Sequence, residues 1–449
     1  MHDLVHDLAL DVSEGSCLTL KTRELKNRPE VQHLSLCLKE ERRLEISDEN
    51  IGKLRTLFLT GDLPKNIEDL KSIRALTIVK SGVKELSSSI CKFIHLKYLD
   101  LSKSSFEKVP NSITKLYNLE TLKLPPSSNI LEEVQIEFHN LVSLRHLCVE
   151  YTENSRKMTP TMIGRLTSLQ TLPFFSVGKD QGRKIEELGS LSKLRGRLSV
   201  YDLQHVKDQE EANEANMFGK TKITELRFHW DADYEDSNIN CSDVLEGLKP
   251  HKNLRRLMVK DFGGQRLASW MRSRDDQLLQ NLVTIELIRC KFCDDIPILG
   301  HLPHLEVVEM VGLDNVEIIG PDFYGFDERT VAGRSTTVAA PTQIVFPALR
   351  KLTIHGMQKL KEWSDVSSLP PATTSMMEFF PRLEELYISK CPNLITIPGL
   401  GRVYRPCSTI VVHQNAENID TLIENVLEKT SKFLRHLVIA EFKELCYLP

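Results

Sequence analysis

No uninterrupted apolar run in this sequence approaches the ~20 residues that a membrane-spanning helix needs. Neither sign of charge dominates. The 58 Lys and Arg stand against 62 Asp and Glu, a net charge of −4. No global basic field is present to hold nucleic acid or an anionic membrane. The start of the chain is not patterned as a signal peptide, because Asp3, Asp7 and Asp11 interrupt its first turns and no basic flank precedes an apolar core. The 10 cysteines are not spaced as a disulfide framework, so a reducing compartment, the cytoplasm, is the expected location. No G-x-S-x-G occurs and no Ser/His/Asp set stands out, so no catalytic residue is assigned and an enzyme is not expected.

What is present is repetition. The unit L-x-x-L-x-L appears as LRTLFL (54–59), IRALTI (73–78), LKYLDL (96–101), LETLKL (119–124), LRHLCV (144–149) and LQTLPF (169–174). It returns as ITELRF (223–228), LRRLMV (254–259), LVTIEL (282–287), LEVVEM (305–310), LRKLTI (349–354), LEELYI (383–388) and LRHLVI (434–439), with VQHLSL (31–36) as an opening copy and RGRLSV (195–200) and CSTIVV (407–412) as degenerate ones. Many starts fall close to the leucine-rich repeat period of roughly 20–29 residues. The larger gaps hold polar stretches, 327–346 and 364–380, read as loop insertions.

Each unit has two arms. The last apolar residues of the hexad alternate, as a strand with one buried face requires. The second arm places Ile113, Leu116 and Leu119 three apart, and Ile67, Leu70 and Ile73 likewise, which is helix or 3-10 spacing. About six buried apolar side chains yield ~10–15 kcal/mol, while ordering more than about twenty residues costs ~1–2 kcal/mol apiece. A lone unit therefore cannot fold, and stacking is obligatory. The expected fold is α/β: a leucine-rich repeat solenoid, a horseshoe with short parallel strands on its concave face and helix, 3-10 or loop return arms. The position three after the hexad is Asp62, Ser81, Ser104, Ser127 and Thr152 early on, where short polar side chains bond turn backbone. Later it becomes Phe262, Cys290, Leu313, Met357 and Cys391, and the register there is less regular.

Four short stretches imitate chemistry. HDLVH (2–6) nearly spells H-E-x-x-H, but it has Asp3 where such zinc enzymes use Glu, and no third ligand is marked; an amphipathic helix with Leu4, Leu8 and Val12 near one face fits instead. MFGKT (217–221) lacks the first P-loop glycine, since Glu214 stands there after the acidic DQEEANEAN, so a helix followed by a turn is expected. CKFC (290–293) has no second pair at zinc-ribbon spacing, and Cys290 falls in the inward turn column, so a buried structural cysteine is expected. DADYED (231–236) lacks the EF-hand glycine and reads as a solvated acidic loop. No metal site is assigned.

The residues between the buried ones face the concave side. Third places include Thr56, Ala75, Tyr98, Thr121, His146, Glu225, Arg256, Lys351 and Glu385; fifth places include Phe58, Asp100, Lys123, Arg227, Met258, Glu286, Glu309 and Tyr387. These columns share no chemistry, so they look like a reading surface for a protein partner, and Tyr98 and Asp100 are candidates on it. A local basic patch, Arg227, His229, Arg255, Arg256 and Lys260 with Trp230 beside them, has the composition of an interaction hot spot.

The opening MHDLVHDLA resembles the MHD motif, the last signature of the nucleotide-binding module in plant intracellular immune receptors of the coiled-coil, nucleotide-binding, leucine-rich-repeat type. The repeats follow at once, with phrases such as LRTLFL, FEKVPNSITKLYNLETLKL and MIGRLTSLQTLPFFSVG. The resemblance runs over essentially the whole chain. It implies that 1–30 is the end of the nucleotide-binding (NB-ARC) module and 31–449 the leucine-rich repeat domain. It implies that His2 senses the bound ADP phosphates, with Asp3 its companion, a task that suits imidazole. The P-loop is absent from this sequence, so ADP or ATP is expected to bind only if the upstream module is supplied, and the chain alone has no cofactor. The last stretch, LRHLVIAEFKELCYLP, lies inside a repeat, so further chain is expected after it. The implied role is recognition and autoinhibition: the repeats hold the nucleotide-binding module closed until a pathogen effector or a guarded host protein competes. The alternative is a stand-alone repeat scaffold or decoy.

Overall fold

The computed structural model describes residues 16–20, 24–25, 31–37, 45–46, 52–64, 66–126, 137–149, 159–232, 241–273, 277–325, 343–364, 377–397, 409–413 and 437–440. The chain forms two compact units, Met1–Leu198 and Ser199–Pro449.

In the first unit, the strands Cys17–Leu20, His33–Cys37, Thr56–Thr60, Ala75–Val79, Tyr98–Lys103, Thr121–Leu124 and His146–Val149 pair in that order as one sheet. The pairs are parallel. Within the strands the fourth and sixth hexad residues are buried, Leu57 and Leu59, Leu76 and Ile78, Leu99 and Leu101, Leu122 and Leu124, as are the first ones before them, Leu54, Ile73, Leu96 and Leu119. Each hexad also ties itself to the next through its second residue. The carbonyl of Arg55 accepts from the amides of Arg74 at 2.7 Å and Ala75 at 3.0 Å. Arg74, Lys97 and Glu120 repeat this toward the following unit.

The return arms are 3-10 helices: Ile67–Asp69, Ser88–Lys92, Asn111–Lys115, Phe138–Asn140 and Ile163–Arg165. A three-residue apolar spacing is eclipsed on a 3-10 helix, so one narrow row serves the core. Ile113, Leu116 and Leu119 are all buried there, and the Leu116 amide donates to the Ile113 carbonyl at 3.0 Å. The last hexad of this unit departs from expectation. LQTLPF gives only an isolated bridge, His146 to Thr171, and the strand starts late, at Phe174–Ser176. Pro173 has no amide to donate to a ladder.

The second unit carries Lys222–His229, Arg256–Lys260, Thr284–Ile288, Val307–Val311, Lys351–His355, Glu385–Ser389, Thr409–His413 and Leu437–Ala440, again paired in order and parallel. DQEEANEAN forms the helix Gln209–Glu214, capped by Asp208, whose carboxylate accepts from the Glu211 amide at 3.0 Å. The turn column bonds backbone as expected at Asp62, which accepts from the Gly82 amide at 2.9 Å, at Ser81, which accepts from the Val83 amide at 3.3 Å, and at Ser104, which donates to the Leu101 carbonyl. Its later members Phe262, Cys290, Leu313, Met357 and Cys391 are buried. Ser127 and Thr152 lie outside the described residues.

Both loop insertions end differently from their reading. Residues 343–346 and 377–380 are not loop: Gln343–Val345 pairs with Met377–Phe379 as parallel strands. Each strand leads into a left-handed phenylalanine, Phe346 at φ 54° and Phe380 at φ 53°, and the two rings stack at 5.1 Å. Their burial against Phe323, Tyr324 and Trp363 holds an uncommon backbone in place.

Candidate partner-binding face

The strand registers set the solvent-facing columns of each unit. In the first, Ser35, Phe58, Thr77, Asp100 and Lys123 stand side by side, then Cys148. Phe58 is 40% exposed in this column. Beside it a polar cluster is locked. The Tyr98 hydroxyl donates to Asp100 Oδ2 at 2.8 Å, and Ser102 donates from its amide and its hydroxyl to Oδ1 at 3.1 and 2.6 Å. Lys123 Nζ lies 3.2 Å from Oδ2 and 5.2 Å from the centre of the Tyr98 ring. Burial works to raise the Asp100 pKa, but the donors from Ser102, Tyr98 and Lys123 together outweigh it and hold the carboxyl below its ordinary value. Burial, opposed by Lys123, leaves the Tyr98 phenol above its usual range. Tyr98 and Asp100, both singled out in the sequence, are thus brought together, and Lys123 joins them. His146 Nδ1 lies 2.9 Å from the Thr171 hydroxyl across the next bridge.

In the second unit the central column is Arg227, Met258, Glu286, Glu309, Thr353 and Tyr387. Beside it run Glu225, Arg256, Thr284, Val307, Lys351 and Glu385. Glu225 holds Arg227, with contacts of 2.7 and 2.8 Å, and Lys351 holds Glu309 at 3.0 Å. Glu286 has its pKa raised, first by burial and then by Glu309, with Arg227 and Arg256 opposing. The supposed basic patch is therefore a mixed one, with Arg227 tied to Glu225 on its own strand, while Glu309 and Lys351 pair across neighbouring strands.

The candidates of that patch separate. Arg255 and Arg256 are exposed and Lys260 and Arg227 half-exposed. His229 and Trp230 are not surface groups: they are 6% and 3% exposed. The His229 ring stacks on Tyr201 at 4.2 Å, and Trp230 meets Phe262 edge-on at 5.1 Å. Alternation explains Trp230, which continues the buried row of Leu226 and Phe228, but not His229, which is covered by the Tyr201 ring. What sequence reading missed is the pairing of Glu225 with Arg227 and of Lys351 with Glu309. Register was the missing signal for Lys351 and Glu309, which stand on adjacent strands, whereas Glu225 and Arg227 stand two apart on one strand and needed only the columns already assigned. His2 and Asp3 lie outside the described residues, so their fit to a nucleotide is not defined.

The imitative motifs have plain positions. Cys290 and Cys293 are buried, and burial pushes the Cys290 thiol up to about 12 and that of Cys293 higher still. Among the described residues, no group of three or more His, Cys, Asp and Glu side chains is placed to hold a metal ion, and no helix is long and apolar enough to cross a membrane. Lys220 of MFGKT is only 2% exposed, and burial lowers its pKa to about 8.

Residues 185–313 match the family model described as R13L1/DRL21 LRRs. Disease resistance protein RGA2 of Solanum bulbocastanum is 31% identical over 458 residues, covering 100% of this chain and 42% of the relative. The RGA1 disease resistance protein of the same plant is 30% identical over 468 residues, again with 100% and 42% covered. The chain thus spans about two fifths of the length of these relatives. Among solved structures, a leucine-rich repeat protein of Leptospira interrogans aligns over 86% of this chain and 93% of its own, at 16% identity and a TM-score of 0.39. The repeats, their parallel strands and the full-length similarity agree: the chain forms leucine-rich repeats and is a homologue, over its whole length, of part of the plant disease resistance proteins.

Proposed function

We propose that this chain is the recognition and autoinhibitory repeat region of a plant immune receptor, acting without catalysis in the cytoplasm. Its solvent-facing strand columns contact protein partners: the receptor's own nucleotide-binding module at rest, and a pathogen effector or a guarded host protein on activation. The observation that carries this reading is the Tyr98–Asp100–Ser102–Lys123 cluster, a part-buried set of donors and acceptors fixed on the face of a rigid sheet. Groups held in one geometry bind with little ordering cost. Arg227, Arg255, Arg256 and Lys260 are the matching contacts in the second unit, with His229 and Trp230 supporting from the interior. Nucleotide enters only through an upstream module, where His2 and Asp3 would meet it.

The test supplies the nucleotide-binding module of the RGA2 relative in trans and measures its capture by this chain. Capture is expected, and the pair Asp100→Lys with Lys123→Ala should weaken it about tenfold or more. Equal capture by that variant, with its fold intact by circular dichroism, would remove the strand face from the contact. The stand-alone scaffold reading would then lead.

A further inference from the structure

The first unit carries a second surface that the strand columns do not include. Ile94, Tyr117 and Val142 are 57%, 58% and 59% exposed. Each sits four residues before a paired strand residue, Tyr98, Thr121 and His146, so the three occupy one position in three consecutive repeats. The Asn118 amide group donates to the Ile94 carbonyl at 2.8 Å, which places the Tyr117 turn directly on the Ile94 turn. Each residue lies just after the buried end of a 3-10 arm: Phe93, Leu116 or Leu141. The row is bounded by the equivalent polar residues Lys71 and Thr167, both exposed.

Cations flank the row on both sides. Two residues earlier in each repeat stand Lys92, Lys115 and Asn140, with Asp69 before them and Arg165 at the far end. Three residues later stand Lys97, Glu120 and Arg145, with Arg74 before them. Glu120 is held by Lys97 at 2.8 Å and Arg145 at 3.8 Å, and Glu68 pairs with Lys92. Counting Lys71, Arg74, Lys92, Lys97, Lys115, Arg145 and Arg165 against Glu68, Asp69 and Glu120 leaves the edge positive, on a chain whose net charge is −4.

We infer that this edge docks an acidic amphipathic helix of a partner protein. Neighbouring repeats are spaced at about 4.7–4.9 Å in their strands. Residues three or four apart on a helix stand about 5–6 Å apart. A helix laid along the stack therefore matches its own apolar row to Ile94, Tyr117 and Val142. Acidic residues on its two flanks then meet Lys92 and Lys115 on one side, and Lys97 and Arg145 on the other. Charge complementarity selects an acidic partner and sets its orientation, and the apolar row supplies the area. This contact is separate from the strand face of the proposed function, so either can fail without the other.

The experiment titrates the full chain with a fluorescent synthetic helix bearing leucines along one face and glutamates on its flanks. Binding is expected, with no binding of a scrambled peptide of equal composition. The double variant Ile94→Ser with Tyr117→Ser should weaken binding about tenfold, and Lys115→Glu should weaken it and flatten its salt dependence. All these side chains are exposed, so the variants should keep the parent's thermal unfolding. Equal binding of the scrambled peptide, unchanged affinity in the serine variant, or no binding at all overturns the inference. So does binding to phosphatidylserine vesicles without binding to the peptide, which would make the edge a membrane contact.

Discussion

Lys220 keeps a charge inside the second unit that water would hold far more cheaply. Unfolded, its ammonium keeps the proton to about 10.5; folded, burial releases it at about 8. Between these values the unfolded chain binds more protons, so stability rises with pH across that window. Below pH 8 both states are protonated and the penalty is full, on the order of 3 kcal/mol from a shift of this size. The parent should therefore gain stability as pH rises from about 8 to about 10.5, and that rise should be absent from Lys220→Met. Urea titrations at a series of pH values decide this, and parallel stability curves for the two proteins would show that the buried ammonium is not penalised. A different cost is spread over many residues. Gly61, Lys80, Asp261, Arg289, Gly312, Gly356 and Lys390 all follow the last residue of a strand, and all have positive φ. Each of the first six donates its amide to the strand end of the next repeat, as Gly312 does to His355 at 2.8 Å. Glycine adopts this conformation freely, whereas the lysines and Arg289 pay for it in backbone strain. Arg289 is held there by a two-pronged pair with Asp261.

Glu286 illustrates how a single strand position acquires its chemistry from its neighbours. It faces Met258 on one side and Glu309 on the other, and its raised pKa follows from burial and then from Glu309. A carboxyl raised in the folded state lends stability below its unfolded pKa and loses it as pH climbs through the folded value. Glu286→Gln should then melt higher than the parent at pH 7 and equally at strongly acid pH; a lower melting temperature at pH 7 would mean the carboxylate is stabilised instead. Much at this scale was legible in the sequence. Alternation in LRTLFL or LKYLDL gave the strands, and three-residue spacing in NSITKLYNL gave the return arms, because one buried face imposes each period. The choice of 3-10 over α was not legible, since both accept that spacing over one turn. Nor were the strands Gln343–Val345 and Met377–Phe379, whose partner lies across a stretch of polar chain and not beside them in sequence. The asparagine contacts were also hidden. Asn118, Asn253 and Asn281 each precede a hexad leucine and donate to a carbonyl of the previous repeat at 2.8, 2.8 and 3.0 Å, a role that needs the stack to be seen. The candidate site was half legible: the columns were assigned, and Trp230 continues the alternation of Leu226 and Phe228, but the burial of His229 under Tyr201 and the Glu309–Lys351 pair between strands depend on how neighbouring repeats stack.

At the scale of the molecule, a repeat array distributes its stability through neighbours, because each unit's open face is covered only by the next. The first unit shows the wiring: the carbonyls of Arg55, Arg74, Lys97 and Glu120 each bind two amides of the following repeat, and among the described residues the sheet shows no strand pairing between distant repeats. Damage should therefore spread along the chain and decay with repeat number. Leu99 is fully buried in the strand Tyr98–Lys103, and Leu99→Ala removes three carbons from a close-packed interior. Such truncations cost about 2–5 kcal/mol. Hydrogen exchange should rise first in Tyr98–Lys103, next in Ala75–Val79 and Thr121–Leu124, and least in His33–Cys37. Uniform acceleration across all strands of the unit would instead mean that it opens only as a whole. The distinction reaches function. If opening is local, a partner seated on the Tyr98–Asp100–Lys123 cluster protects its own repeats and their neighbours, and the exchange map of the complex reports which repeats it covers.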